Sequence, residues 1–168
     1  MAYRSESFEP MRHELTPFRC GEPGLDTWLC DQAPGAAARR VARTFVWVDP
    51  ETAPEVVVGY YSLTGHRLVR DDLLRSIGRG SPIEIPAVLL AQLALDETCQ
   101  GSGTGGVLLA DALARIVVAT DIVAARFVVV DALHDRAAGF YRHYGFQQIP
   151  GTMRLVQKIS DVAAALAT

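Results

Sequence analysis

Lysine is almost missing from this 168-residue chain: Lys158 stands alone beside fifteen arginines. A GC-rich coding sequence produces that ratio by itself, yet it also leaves many planar guanidinium forks suited to phosphate contacts. The net charge is only −3, so nucleic-acid binding through overall charge is excluded and any such contact needs a local patch. Cysteine is scarce as well. Cys20, Cys30 and Cys99 form no CxxC pair, their number is odd, and His13, His66, His134 and His143 lie at no ligand-like spacing from them. A disulfide scaffold and a structural zinc site are therefore not expected, and no metal is assigned. No apolar run reaches the roughly 18 residues of a membrane span. The N-terminus lacks the apolar segment of a secretory signal, so a cytoplasmic protein without a membrane partner is expected. Repeats, low-complexity tracts and linkers are absent too.

What is present is a core. Hydrophobic residues make up 49% of the chain and charged residues 21%, which argues against disorder. The length suits one domain over residues 1–168, with residues 1–12 a loose polar segment. Leu25, Trp28 and Leu29 have helical spacing, Pro34 interrupts, and residues 36–42 read as a second short helix. Arg39, Arg40 and Arg43 fall on one side of its end. Residues 44–48 and 56–63 are β-rich and joined by turn chemistry, an antiparallel hairpin. Residues 71–77 suggest a short helix. Pro86 places the start of the apolar run 83–95 in an irregular stretch, with a buried strand over 88–95. A long helix over 107–124, a central strand over 126–131 and a helix over 134–144 follow, the last capped by Gly145. Two closing strands and a terminal helix complete a mixed α/β chain.

The most informative segment is Gln100-Gly-Ser-Gly-Thr-Gly-Gly106, between an apolar strand and a long apolar helix. Glycines there permit positive φ and close approach of a ligand to the amides. Amides at a helix start point outward with the positive end of the helix dipole behind them, a seat for phosphate or pyrophosphate. Two motifs fit. Gly101-x-Gly103-x-x-Gly106 matches the dinucleotide pattern, with Asp131 as a ribose-binding acid, although about ninety residues of mostly β-rich chain precede it instead of none. A Walker-type loop fails because no lysine follows the glycines.

Gln100-x-x-Gly103-x-Gly105 is the better match. It resembles the pyrophosphate motif of the GNAT acyl-CoA-dependent N-acetyltransferases, and Ala138-Gly-Phe-Tyr-Arg-His-Tyr-Gly-Phe146 is similar to a second signature of that superfamily. Phe18-Arg-Cys-Gly21, Leu25-Asp-Thr-Trp-Leu29, Gly59-Tyr-Tyr-Ser-Leu63 and Leu89-Leu-Ala-Gln-Leu-Ala-Leu-Asp96 occur in the order found in the GNAT toxins of toxin–antitoxin modules. The resemblance spans roughly residues 13–159. It departs at Gln92 and Leu95, where such toxins more often carry Arg and Val.

The resemblance implies a GNAT fold, a central and mostly antiparallel sheet flanked by helices. It implies acetyl transfer from acetyl-CoA to the α-amino group of aminoacyl-tRNA, which blocks translation. It also implies a ribbon–helix–helix antitoxin as partner, and a homodimer. Tyr141 takes the place of the catalytic acid, since a phenol is protonated at neutral pH. Leu93, Ala94 and Leu95 lend backbone groups to the acyl arm, and Gln100, Gly101, Ser102, Gly103, Thr104, Gly105 and Gly106 hold the pyrophosphate. Arg39, Arg40 and Arg43 are candidates for the tRNA. Alternatives are a GNAT acting on a small amine or a protein lysine, a non-catalytic acyl-CoA module, and, as an outsider, a nicotinamide-dependent oxidoreductase.

Overall fold

A computed structural model of the chain describes residues 2–168. Seven strands, β1 (Arg4–Ser7), β2 (Arg43–Val48), β3 (Gly59–Val69), β4 (Glu84–Leu95), β5 (Phe127–Asp131), β6 (Gln147–Gln148) and β7 (Arg154–Lys158), hydrogen-bond in the order β1-β2-β3-β4-β5-β7-β6. The β4–β5 pair is parallel, whereas β1–β2, β2–β3, β5–β7 and β6–β7 are antiparallel. Six helices accompany them: α1 (Pro23–Thr27), α2 (Ala33–Ala38), α3 (Arg75–Gly78), α4 (Thr104–Thr120), α5 (Asp135–His143) and α6 (Ile159–Leu166). This is the mixed α/β architecture expected. Contacts group the chain into two compact units, one running to Thr64 with Ala91–Ala112, the other Gly65–Leu90 with Leu113–Thr168.

In the first unit, Phe8, Phe18, Leu29, Val46, Val48, Val57 and Tyr60 are buried together. The Trp28 ring stacks on Tyr60 with centroids 6.0 Å apart. The two helices expected on either side of Pro34 are joined, because residues 28–32 form a wide turn in which the Ala33 amide reaches the Trp28 carbonyl. That turn lies just ahead of Pro34, which sits in the first turn of α2, where a missing N–H leaves no bond unmade. In the second unit Leu68, Leu73, Ile77, Ile85, Phe127, Val129 and Val156 form the core. His134 caps α5: its Nδ1 accepts the Ala137 amide at 3.1 Å. Gly145 follows the helix at φ +97°, the left-handed residue that ends it.

Two expectations are corrected. Pro86 does not break the apolar run: β4 begins at Glu84 and passes through it. Pro86 is exposed, and its carbonyl accepts the Arg126 amide at 2.9 Å. The opening segment is not loose throughout either, since β1 pairs with β2 over Arg4–Ser7. Its polar residues are what hold it. The Glu6 carboxylate meets Arg4 at 3.0 Å, Arg12 at 2.7 Å and the buried His13 Nε2 at 2.7 Å. His13 Nδ1 accepts the Glu9 amide at 2.9 Å, so the ring hydrogen sits on Nε2 and donates to Glu6.

Burial works to raise the Glu6 carboxyl, but hydrogen bonds from His13 and Arg12, the Arg12 charge and Arg4 outweigh it and bring it down to about 2. A carboxyl held below its ordinary 4.5 stabilises the fold fully above that pH and loses its contribution as pH falls through the folded value. Glu6→Gln is expected to lower stability at pH 7 by about 1–3 kcal/mol and to flatten the acid limb of the stability profile. Denaturant unfolding at several pH values measures both. A loss below about 0.5 kcal/mol, the scatter of ordinary surface changes, would mean strand pairing alone holds β1.

Candidate active site

The glycine turn is built from its strand outward. Asp96, just past β4, accepts the Arg19 amide at 2.9 Å, the Thr98 amide at 3.0 Å and the Thr98 hydroxyl at 2.7 Å. Burial alone would raise this carboxyl, but those donors hold it below the usual range. Three of its roughly four acceptor sites are occupied, which makes it a poor base. Gln100 Nε2 donates to the carbonyls of Cys20 and Leu95, both at 2.8 Å. The chain then turns left-handed for three successive residues, Gly101 at φ +93°, Ser102 at +54° and Gly103 at +78°, before α4 starts at Thr104. Serine in that region is strained, which marks a conformation imposed by its neighbours.

The result is a concave run of amides. The Thr104 amide bonds to the Gly101 carbonyl and the Val107 amide to that of Gly103. The amides of Gly101, Ser102, Gly103, Gly105 and Gly106 have no acceptor among the described residues. No atom lies within 4 Å of where a Cβ would stand on Gly101 or Gly103, so the approach is open. Five unpaired donors, three ahead of a 17-residue helix and two in its first turn, form a site for a doubly charged oxyanion group. Upstream, Ala94 and Leu95 are buried and Leu93 half-buried. The parallel register of β4 with β5 covers only Ala87–Leu89. The strand thus carries backbone groups through Leu93–Leu95 that β5 does not pair.

In the second unit, Tyr141 is the buried aromatic of α5, its ring edge-on to Phe140 and Phe146 with centroids 5.2 and 5.6 Å away. Burial pushes its phenol well above the ordinary value. The hydroxyl has no hydrogen-bond partner among the described residues, yet it is not one of the polar atoms sealed from solvent. It is a protonated donor. His134 is occupied as a helix cap, and His143 lies exposed against Tyr144. Arg39 ends α2 and folds back over Gly35, Arg40 adopts φ +60°, and Arg43 opens β2. All three are exposed, and no carboxylate pairs with any of them among the described residues.

No family model matches the chain. A tRNA-acetylating toxin of Mycobacterium tuberculosis (strain ATCC 25618 / H37Rv) is 36% identical to it over 154 residues, 91% of this chain and 90% of that protein. The chain belongs to the family of tRNA-acetylating toxins. Among solved structures, AtaT complexed with acetyl-methionyl-tRNAfMet matches with a TM-score of 0.88 and 26% identity, covering 98% of this chain and 99% of that one. A tyrosine-to-phenylalanine variant of AtaT, bound to the C-terminus of the antitoxin AtaR and acetyl-CoA, matches with a TM-score of 0.82 and 25% identity over 99% of both chains.

Within this family member, the described residues hold no group of three or more His, Cys, Asp or Glu placed for a metal, and no helix long and apolar enough to cross a membrane. A cavity of about 260 Å³ in the second unit, walled by Ser76, Phe127, Gly145, Gln157 and Lys158, contains none of the predicted residues. Sequence reasoning missed the cluster of Asp131, Arg154 and His66, in which Arg154 bonds to both other side chains. Asp131 was read only as an acid ending a strand and, in the dinucleotide pattern, as a ribose-binding acid. Arg154 and His66 lie 88 residues apart, and nothing local in the sequence joins them.

Gln100 supplies the prediction for this site. Gln100→Ala is expected to lose about 1–3 kcal/mol of stability, because two carbonyls lose their shared donor. Gln100→Glu should lose more at pH 7, where an ionised carboxylate faces the same two oxygens, and should recover towards the alanine variant below about pH 4 as it protonates. Thermal unfolding at both pH values reads this. Equal stability of Gln100→Glu and the parent at pH 7 would mean the amide does not pin the turn.

Proposed function

We infer that this chain is an acetyl-CoA-dependent N-acetyltransferase that acetylates the α-amino group of aminoacyl-tRNA and thereby blocks translation, the toxin of a toxin–antitoxin pair. The observation that carries the reading is the set of five unpaired amides at the start of α4, in a chain 36% identical to a tRNA-acetylating toxin. Those amides fit the pyrophosphate of acetyl-CoA, the cosubstrate bound in the AtaT structure. Gly101, Ser102, Gly103, Thr104, Gly105 and Gly106 supply the cradle. Gln100 contributes its shape by tying Cys20 and Leu95, and the backbone of Leu93, Ala94 and Leu95 receives the acyl arm.

The chemistry asks for an uncharged amine, stabilisation of the carbonyl oxygen and a proton for the departing sulfur. The amine of an aminoacyl ester lies below the ~7.7–8.0 of a free chain terminus, because the ester withdraws electrons, so much of it is neutral without a base. A lysine side chain, at ~10.4, would need one. Asp96 is locked in hydrogen bonds and offers none. As the amine nitrogen bonds to the thioester carbonyl carbon and the C–S bond breaks, Tyr141 gives its phenolic proton to the sulfur. Burial keeps that phenol protonated across the working pH range. Arg39, Arg40 and Arg43, lacking carboxylate partners, take phosphates of the tRNA. The toxin works in the cytoplasm as a homodimer, and a ribbon–helix–helix antitoxin neutralises it; an antitoxin tail accompanies AtaT in its structure.

Tyr141→Phe removes one hydroxyl and keeps the ring, so packing of α5 is preserved. Single-turnover acetylation of charged tRNA should fall by ~10²–10⁴-fold while acetyl-CoA affinity stays constant. A rate within about threefold of the parent would leave Tyr141 a packing residue. For the arginines, replacing all three by Ala should lower the slope of log affinity against log salt by about 0.7 to 0.9 for each phosphate contact removed. Acetyl-CoA binding should be unchanged. Salt-titrated tRNA binding decides it, and an unaltered slope would leave the three as a solvated face.

A further inference from the structure

Three strands of the second unit bring Asp131, Arg154 and His66 together. Arg154 Nε donates to Asp131 Oδ1 at 2.7 Å and Nη2 to Oδ2 at 2.9 Å, the two-pronged match of guanidinium and carboxylate. Its remaining nitrogen, Nη1, meets His66 Nε2 at 3.0 Å. A ring nitrogen that accepts from a cation is unprotonated, so the imidazole is neutral with its hydrogen on Nδ1. Burial and the Arg154 charge hold His66 below its ordinary value, with Asp131 pulling the other way. Hydrogen bonds from Arg154 hold Asp131 low in turn.

Strand pairing accounts for part of this, because Asp131 and Arg154 face each other in the β5–β7 register. It does not account for His66, which comes from β3 and fixes the third nitrogen. A guanidinium has five N–H groups. Three are occupied here, and one hydrogen on Nη1 and one on Nη2 have no acceptor among the described residues. The side chain as a whole is 32% exposed. Asp131 ends β5, the carboxyl end of a strand parallel to β4, which is where open α/β sheets take their ligands. Four residues on, the chain enters the helix that carries Tyr141. Asp131, Arg154 and neutral His66 sum to no net charge. A phosphate brought to this edge would also meet the Asp131 carboxylate, whereas a neutral carbonyl oxygen meets only the donors.

We propose that the free edge of Arg154 binds the ester carbonyl oxygen of the acceptor's charged end, and that His66 and Asp131 are positioning residues that aim it. This rests on aminoacyl-tRNA being the acceptor. The edge reads the ester-linked amino acid itself, a feature that every charged tRNA has and an uncharged one lacks.

The test compares the full-length parent with Arg154→Gln, His66→Ala and His66→Gln for steady-state acetylation of charged tRNA, acetyl-CoA affinity and thermal unfolding. Arg154→Gln should reduce kcat/KM roughly ten- to hundredfold through the loss of a charge-assisted hydrogen bond, with acetyl-CoA affinity within about twofold. His66→Ala should lose several-fold. His66→Gln offers an amide oxygen to Arg154 and should restore the parent rate. Below the ordinary imidazole range the parent should decline more steeply than His66→Gln, because only the parent protonates His66 and releases the guanidinium. Arg154 on β7 and Asp131 on β5 are the charged groups acting on that ring, and the ratio of parent to His66→Gln cancels the protonation of the amine. Arg154→Gln at parent kcat/KM, or a fall in kcat/KM matched by equal losses of acetyl-CoA affinity and unfolding temperature, overturns the proposal and leaves a structural ion pair. If the parent acetylates no charged tRNA, the functional reading fails before any substitution is made, and the proposal falls with it.

Discussion

Two hydrogen bonds from one amide nitrogen hold the first unit in the form its chemistry needs. Gln100 Nε2 ties the carbonyl of Cys20, in the N-terminal loop, to that of Leu95, at the end of β4. Asp96 adds the Arg19 amide to the same junction. Beyond that junction Gly101, Ser102 and Gly103 all take positive φ, and the unpaired amides at the start of α4 lie on and just after this turn. The glutamine acts as a staple at the base of the turn, with both hydrogens of its nitrogen engaged.

Much of this was legible in the sequence because the signals were local. Four glycines between an apolar strand and an apolar helix announce the turn, and Gly145 announces the end of α5. Where the sequence misled, the cause was tertiary. Pro86 reads as a strand breaker, but β4 runs through it and its carbonyl still pairs with the Arg126 amide. Pro34 reads as a helix break, but the wide turn at residues 28–32 brings the chain into α2 with proline in the first turn. The opening dozen residues look loose because they are polar. Their order comes from one carboxylate, Glu6, collecting Arg4, Arg12 and a buried histidine, and no hydrophobic pattern encodes that.

The arginines show why composition alone could not assign roles. Arg39, Arg40 and Arg43 are neighbours in sequence and carry uncompensated charge, which suits a polyanion. Arg154 looks the same on paper and is a different object in space: its charge is neutralised by Asp131 and its orientation fixed by His66. Free charges attract at a distance and tolerate many geometries, whereas a neutralised and clamped guanidinium attracts nothing from afar and accepts only an oxygen placed on its edge. An enzyme acting on a large anion through one small neutral group needs both kinds.

The allocation of protons follows the same logic within each unit. On α5 the buried Tyr141 phenol is kept neutral by its apolar surroundings. Just past β4, Asp96 accepts from Arg19 and twice from Thr98, and in the second unit Asp131 is held low by Arg154. A carboxylate engaged in this way is a weak proton acceptor. A lysine side chain must lose a proton before it can attack, whereas an ester-weakened α-amine is largely neutral already, so an enzyme that acetylates charged tRNA asks less of such groups.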